Sequence, residues 1–168
     1  SIDQLAAEGV LDPALTSIFA FGAERTPITL HRHQERSVVK ARNRESFIVT
    51  TGTGSGKSLC FFVPIVDAIV RAKKAGEAPR TRAIIIYPMN ALVNDQLGRL
   101  RTLFGASAVR KWFTSAANRP AKFGRYTGRT LYPGMRDGKR DQNRLKTLEY
   151  YLKIEDGARG GNVTDQVL

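Results

Sequence analysis

Apolar residues recur at helical spacing along much of the chain, and in two places they run together instead. Residues 3–21 read as helix in two pieces. In "LDPALTSIFAF", Asp12 stands as an N-cap with Pro13 in the first turn. Pro27 interrupts, and "LHRHQERSVVKARN" (30–43) resumes the helical period. "SFIVT" (46–50) is a short β-forming run that ends on glycines, which predicts a buried strand. From Lys57 to about Lys74 the pattern is helical again, with Pro64 as an expected kink. "RAIIIYP" (82–88) predicts a second strand, and its apolar run from Ile84 to Tyr87 implies burial on both faces, as in a parallel sheet. "NALVNDQLGRLRTLFG" (90–105) is amphipathic, with Leu92, Gln96, Leu100 and Leu103 on one side and Gly105 as its stop.

The order strand, glycine loop, helix, strand, helix implies an α/β domain with a parallel sheet, right-handed crossovers and flanking helices. Residues 1–27 form a helical extension before it, and 28–168 hold the domain. Past Gly105 the pattern weakens. "KFGRYTG" (122–128) is a candidate third strand, and "RLKTLEYYLKI" (144–154) a helix with Leu145, Leu148, Tyr151 and Leu152 on one face. The last residues, "EDGARGGNVTDQVL", predict no element.

Charge changes this picture more than bulk composition does. The 168 residues suffice for one domain with a core, and they carry 27 Lys and Arg against 15 acids, net +12. From Arg110 to Lys146 there are eleven Lys or Arg and only Asp137 and Asp141 against them, a local +9. This basic segment, about 115–146, reads as an insertion. It is either a solvated surface or a face for a polyanion, and nucleic acid is the partner that the rest of the sequence favours. The longest apolar run, "LCFFVPIVDAIV", is broken by Pro64 and Asp67 and is too short for a membrane span. No secretory signal opens the chain, which starts at Ser1 as an excised piece would. Cys60 is the single cysteine, so an intramolecular disulfide is ruled out, and a reducing, cytoplasmic setting is expected.

The chemistry concentrates in "TTGTGSGKS". The phosphate-loop pattern G-x-x-x-x-G-K-[ST] is met at Gly56, Lys57 and Ser58, but Thr51 stands where the first glycine belongs. The context is still the one an anion needs. A strand feeds a glycine turn and a helix follows, so backbone N–H groups and the helix dipole converge on one point. Lys57 would neutralise the β- and γ-phosphates of ATP, and Ser58 would place its hydroxyl on Mg²⁺. The plain alternative, an ordinary βα turn, leaves Lys57 without a partner. His31 and His33 lie two apart on a helix, on different faces, and make a poor metal pair. Cys60 reads as core.

The segment "TGTGSGKS" resembles motif I of superfamily 2 helicases, A-x-T-G-S-G-K-[ST], the DEAD/DEAH-like ATP-dependent group. There Thr51 takes the small-residue position, Gly52 is the variable one, and Thr53, Gly54, Ser55, Gly56, Lys57 and Ser58 match directly. Gln34, 17 residues before Thr51, resembles the Q motif, whose amide reads the adenine edge; Phe19 and Phe21 are candidates for stacking on the base, though either suits a core. "YPMNALVNDQ" (87–96) resembles motif Ia in the form found in RecQ-like DNA helicases, through Pro88, Ala91, Leu92, Asp95 and Gln96, with Met89 in place of Thr and Asn90 in place of Lys or Arg. The resemblance implies that Pro88, Asn90, Ala91 and Gln96 lie against a nucleic-acid strand. "RYTGRT" (125–130) is similar to the Y-x-G-x-T segment of the same enzymes, which adds Arg125, Gly128, Arg129 and Thr130 as phosphate contacts; a simple hairpin turn is the alternative.

The resemblance covers about 28–135 and implies part of the N-terminal RecA-like domain of a DNA helicase or translocase, acting on a single strand or duplex end with ATP and Mg²⁺. The D-E-x-[HD] motif and the second RecA-like domain with its arginine finger are not in this sequence. The chain is therefore expected to be part of a longer helicase, to work with the rest of it, and to hydrolyse little alone. The style of "YPMNALVNDQLGRLR" is similar to large bacterial helicases, including those of antiphage systems such as DISARM, which implies defence-complex subunits as partners. A non-motor nucleotide-binding scaffold, a restriction-type duplex translocase and an RNA helicase stay open as alternatives.

Overall fold

A computed structural model describes residues 1–117 and 121–126. They fall into two compact units, one of 1–86 with 102–117, the other of 87–101 with 121–126.

In the first unit, α1 (Ile2–Ala7) and α2 (Ala14–Ile18) are short and pack on each other. The Asp12 carboxylate accepts the Ala14 N–H at 2.9 Å, so it caps α2 from just outside the helix. A two-residue antiparallel ladder follows, β1 (Ala20–Phe21) on β2 (Thr26–Pro27), with Ala20 opposite Pro27 and Phe21 opposite Thr26. The period-based expectation of helix up to residue 21 fails here. Gly22 at φ +78° and Arg25 at φ +53° turn the chain back on itself, which no helix accommodates.

The next two helices fall where the sequence put them. α3 (Arg32–Arg42) begins after His31, whose N–H donates to Gln34 Oε1 at 2.8 Å, one arm of a capping box. α4 (Leu59–Lys74) runs through Pro64, where the Cys60 carbonyl loses its usual helical donor. α3 packs along α4. Cys60, Phe62, Val63, Val66 and Val70 of α4 join Leu11, Leu15, Ile18, Phe19, Leu30 and Val38 in one core. α5 (Asn90–Gly105) ends at its glycine as expected, and α6 (Ser107–Ala117), which the sequence pattern did not reveal, adds Val109 and Phe113 to the core of the first unit.

The expected parallel sheet is not formed among the described residues. Segments 46–50 and 82–86 carry no ladder hydrogen bonds, and β1–β2 is the one sheet described. Ile48 is 90% exposed, and Ile84 and Ile86 are 81% and 88% exposed, so the burial on both faces expected of 84–87 is not met either. The cause is non-local. A strand's N–H and C=O groups are satisfied only by a neighbouring strand, and no described segment pairs with either run. Residues 122–126 of the expected third strand are likewise without a ladder, and the expected helix at 144–154 lies outside the described residues.

A buried ionic cluster ties the N-terminal helices to α4. Asp67 accepts the Asp12 N–H at 2.7 Å through Oδ1 and the Arg71 Nε–H at 2.8 Å through Oδ2. Arg71 also donates to the Val10 carbonyl, and Lys74 Nζ donates to Asp12 Oδ1 at 2.6 Å. Both carboxylates are buried, and the donors they accept from offset their desolvation. Burial raises the Asp12 carboxyl, but the Lys74 hydrogen bond, the Ala14 N–H and the charges of Lys74 and Arg71 outweigh it and hold the group below its ordinary value of 3.8.

Replacing Asp67 with alanine strands the buried Asp12 N–H and leaves Arg71 without its partner. Arg71 is partly solvated, so the expected cost is about 2 kcal/mol, a roughly 30-fold loss of amide protection in α2 by hydrogen exchange. Unchanged protection would show that the cluster does not hold these helices. The pH dependence follows from the lowered Asp12 value. Its contribution is complete above about pH 4 and is lost as pH falls through the depressed folded value. Protection of α2 is expected to decline over that acid window in the parent, and Asp12→Asn should flatten the decline; an equal slope in both would refute the assignment.

Candidate functional site

The loop between 51 and 58 lies in the first unit and is gripped from two sides. On one side is the start of α4. The Leu59 N–H donates to the Gly56 carbonyl at 3.0 Å, Cys60 N–H to Lys57 O at 3.0 Å, and Phe62 N–H to Ser58 O at 2.9 Å, so the loop passes directly into the first helical turn. On the other side is α3. Gln34 Nε2 donates to the Gly56 carbonyl at 2.9 Å, and His33 Nε2 lies 3.0 Å from the Ser55 carbonyl.

Glycine is required at position 56 on two counts. Its φ is +71°, and a Cβ built there would sit 2.6 Å from Gln34 Nε2, so the buried amide would have to move. Gly54 is also left-handed, at φ +79°. The alternation of hands along the loop turns successive N–H groups to one side, the geometry of an anion-binding nest. Among the described residues, the N–H groups of Gly54, Ser55, Gly56 and Lys57 have no protein acceptor.

Lys57 is folded over this loop. Its Nζ donates to the Thr51 carbonyl at 2.9 Å and the Gly52 carbonyl at 2.6 Å. An ammonium has three N–H bonds, so one remains for an outside oxygen. No carboxylate lies within ion-pair distance among the described residues, and the positive charge is uncompensated. Thr51, at the altered first position, does two things. Its carbonyl receives Lys57, and its hydroxyl lies 2.6 Å from the Ser55 hydroxyl, bridging the loop's entry to its crown. Thr53 is exposed, and Ser58 is half-buried with its hydroxyl unengaged by protein.

Gln34 is 1% exposed, and each end of its amide has a partner inside the protein, Oε1 from His31 N–H and Nε2 to Gly56 O. The resemblance expects Gln34 at the adenine edge; the structure sets its buried amide against the loop, which it braces through the Gly56 carbonyl. Sequence spacing does not single out His33, because position along one helix says nothing of what lies beneath it. Its adjacency to Gln34 was the signal that could have placed it. Phe19 is in the core and Phe21 is about half exposed.

The second unit holds the remaining expected site residues. α5 begins at Asn90, with the Val93 N–H donating back to the Met89 carbonyl at 3.2 Å. Pro88, Asn90 and Ala91 are exposed around this helix start. Gln96 is buried; its Nε2 donates to Asp95 Oδ2 at 2.9 Å, and Asp95 also receives the Arg99 Nε–H at 3.0 Å. Among the described residues, the buried Gln96 Oε1 and Tyr87 hydroxyl have no hydrogen-bond partner. Burial pushes the Tyr87 phenol above its ordinary value; Arg99 opposes the shift and Asp95 adds to it. Arg125, exposed, donates to the Asn94 side-chain oxygen, which places the start of "RYTGRT" beside α5. Gly128, Arg129 and Thr130 lie outside the described residues, as does most of the basic segment.

Among the described residues no cluster of three His, Cys, Asp or Glu could hold a metal, and no helix is long and apolar enough to cross a membrane. The chain is 41% identical over 136 residues to the Druantia protein DruE of Escherichia coli, a match that takes in 76% of this chain and 7% of that protein. It is 30% identical over 80 residues to the uncharacterized ATP-dependent helicase YprA of Bacillus subtilis, covering 48% of this chain and 10% of the relative. An uncharacterized ATP-dependent helicase of Methanocaldococcus jannaschii is 36% identical over 67 residues, 40% of this chain and 9% of the relative. The chain thus spans about a tenth or less of the length of these relatives. No solved structure matches it. The model of the DEAD/DEAH box helicase matches residues 31–132, from the start of α3 through the loop and α5, and the chain belongs to that family.

Proposed function

We propose that this chain is the nucleotide-binding part of an ATP-dependent superfamily 2 DNA helicase or translocase. The observation that carries the reading is Lys57, held on the Thr51 and Gly52 carbonyls above four loop N–H groups with no protein acceptor. That arrangement supports reading the loop as an anion site. Loop N–H groups would hold the phosphates of ATP, and the Lys57 charge would meet the β- and γ-oxygens. The free Ser58 hydroxyl fits a ligand to Mg²⁺, which would arrive with the nucleotide, since the described residues offer no acidic cluster of their own. Mg²⁺ supplies charge neutralisation of the phosphate oxygens. The resemblance would have Gln34 read adenine, but its amide is buried on His31 and Gly56 and would have to leave those contacts to do so.

In the second unit, the exposed helix start at Pro88, Asn90 and Ala91 suits a strand phosphate, because helix N-termini present unsatisfied N–H groups. Gln96, expected against the same strand, is buried with its amide on Asp95 and would reach the strand only by turning outward. Arg125, fixed on Asn94, would add a cation beside it, and Gly128, Arg129 and Thr130 would extend the contact. The proposed polymer is DNA, with the remainder of the helicase, including its second RecA-like domain, closing on the loop. The likeness to the Druantia protein supports a large bacterial helicase with system partners, and the resemblance to antiphage helicases makes defence the proposed setting.

Lys57→Ala in the full-length protein is expected to weaken ATP binding by roughly 10- to 100-fold, the worth of charge-assisted bonds to phosphate, and to abolish DNA-stimulated ATP hydrolysis. A protein that keeps both after the change is not using this loop. If the complex still assembles and functions without hydrolysis, the scaffold reading replaces the motor. Asn90→Lys restores a cation at the start of α5. It should tighten single-stranded DNA binding and steepen the dependence of log K on log salt by about one unit. An unchanged salt slope would remove position 90 from the interface.

A further inference from the structure

We propose that His33 is a positioning residue for the nucleotide loop: it holds the Ser55 carbonyl on the α3 side and thereby turns the Gly56 N–H toward the phosphates. The proposal rests on the reading of 51–58 as a phosphate site.

The physical step is the planarity of the peptide. In a trans peptide the C=O of one residue and the N–H of the next point in opposite directions. His33 Nε2 is 3.0 Å from the Ser55 oxygen. A carbonyl can only accept, so Nε2 is the nitrogen that carries hydrogen, in the neutral and the charged ring alike. Fixing that carbonyl toward α3 fixes the Gly56 N–H away from it. Gln34 does the same one peptide further along, by donating to the Gly56 carbonyl at 2.9 Å, which sends the Lys57 N–H to the same far side. Neither N–H has an acceptor among the described residues. Two consecutive side chains of α3 therefore set two consecutive peptide planes of the loop.

Other contacts make His33 a stiff support. Ser55 is pinned at its side chain as well, through the Thr51 hydroxyl at 2.6 Å, so its carbonyl cannot swing without disturbing the loop entry. The His31 ring lies parallel to the His33 ring, with centroids 5.7 Å apart and planes within 9°; His31 stands at the N-cap and not within α3, so the two rings share a side where the spacing predicts different faces. His33 and Ser55 are both half-buried, so the contact between them is partly shielded from water. A glutamine's Nε2 reaches as far from the backbone as a histidine's Nε2, whereas an asparagine's amide reaches only to the place of Nδ1.

The test uses the full-length protein and Mg²⁺–ATP binding and hydrolysis, with four variants. His33→Phe keeps the ring and removes the donor, and it should weaken ATP binding about tenfold. It should raise KM for ATP while kcat at saturating ATP stays within about twofold. His33→Gln should recover the parent affinity to within about threefold, and His33→Asn should remain as weak as His33→Phe. Parent-like affinity in His33→Phe overturns the proposal, and so does equal weakness of the Gln and Asn variants, which a general packing role would give. Should His33→Phe fail to fold, the Gln and Asn pair decides alone. Lys57→Ala is the fourth variant. If it binds ATP normally, the phosphate-site reading has failed; if it binds weakly while His33→Phe does not, only the role of His33 has.

Discussion

The Gly56 carbonyl is the point on which the loop depends. It accepts from Gln34 on α3 and from Leu59 at the start of α4, so one oxygen joins the two helices that flank the turn. The buried amide of Gln34 reaches it only because residue 56 has no side chain. Remove that freedom and the amide is displaced, the α3 start loses the Oε1 contact that caps His31, and the loop's N–H groups lose their common direction. The apolar packing of α3 on α4 brings the parts within range, and the polar contacts choose the orientation. Burial is non-directional and could not set a peptide plane by itself.

Thr51 shows why the loop tolerates a departure from the glycine pattern. The position contributes a carbonyl to Lys57, which any residue could offer, and a hydroxyl to Ser55, which glycine could not. The substitution thus exchanges backbone freedom for a side-chain clasp across the loop. Lys57 in turn stays folded over the turn by carbonyl dipoles alone. With no carboxylate beside it, an arriving phosphate has no anion to displace, and the charge is available in full.

What could be read from the sequence divides along local and non-local lines. α3, α4 and α5 followed from apolar period and end signals, and Gly105 stopped α5 where expected, because these depend on residues within a few turns. The Asp12 cap was legible for the same reason. The hairpin at 20–27 was not, since its turn carries an arginine in the left-handed region, a conformation that composition does not announce. Family membership brings the RecA-like α/β fold, yet the runs at 46–50 and 82–86 stand without partners, because β-forming character says that a strand is suitable and not which segment will lie beside it. In the site, the loop and Gln34 were recognisable from residue type and spacing. The brace from His33 to Ser55 joins residues 22 apart through a fold-dependent approach, and spacing along one helix could not show it.

Those unpartnered runs also govern how this stretch behaves in solution. Ile48, Ile84 and Ile86 are exposed on β-forming segments without a ladder among the described residues, and such unpaired segments are a template for strand-to-strand association between molecules. Against this works a net charge of +12, which keeps like chains apart at low ionic strength. Salt screens that repulsion over about 10 Å at 0.1 M and leaves hydrogen bonding between edges intact. The colloidal state of the isolated stretch is therefore a contest between a long-range force that buffer composition controls and a short-range one that it does not, and added salt tips the contest toward assembly.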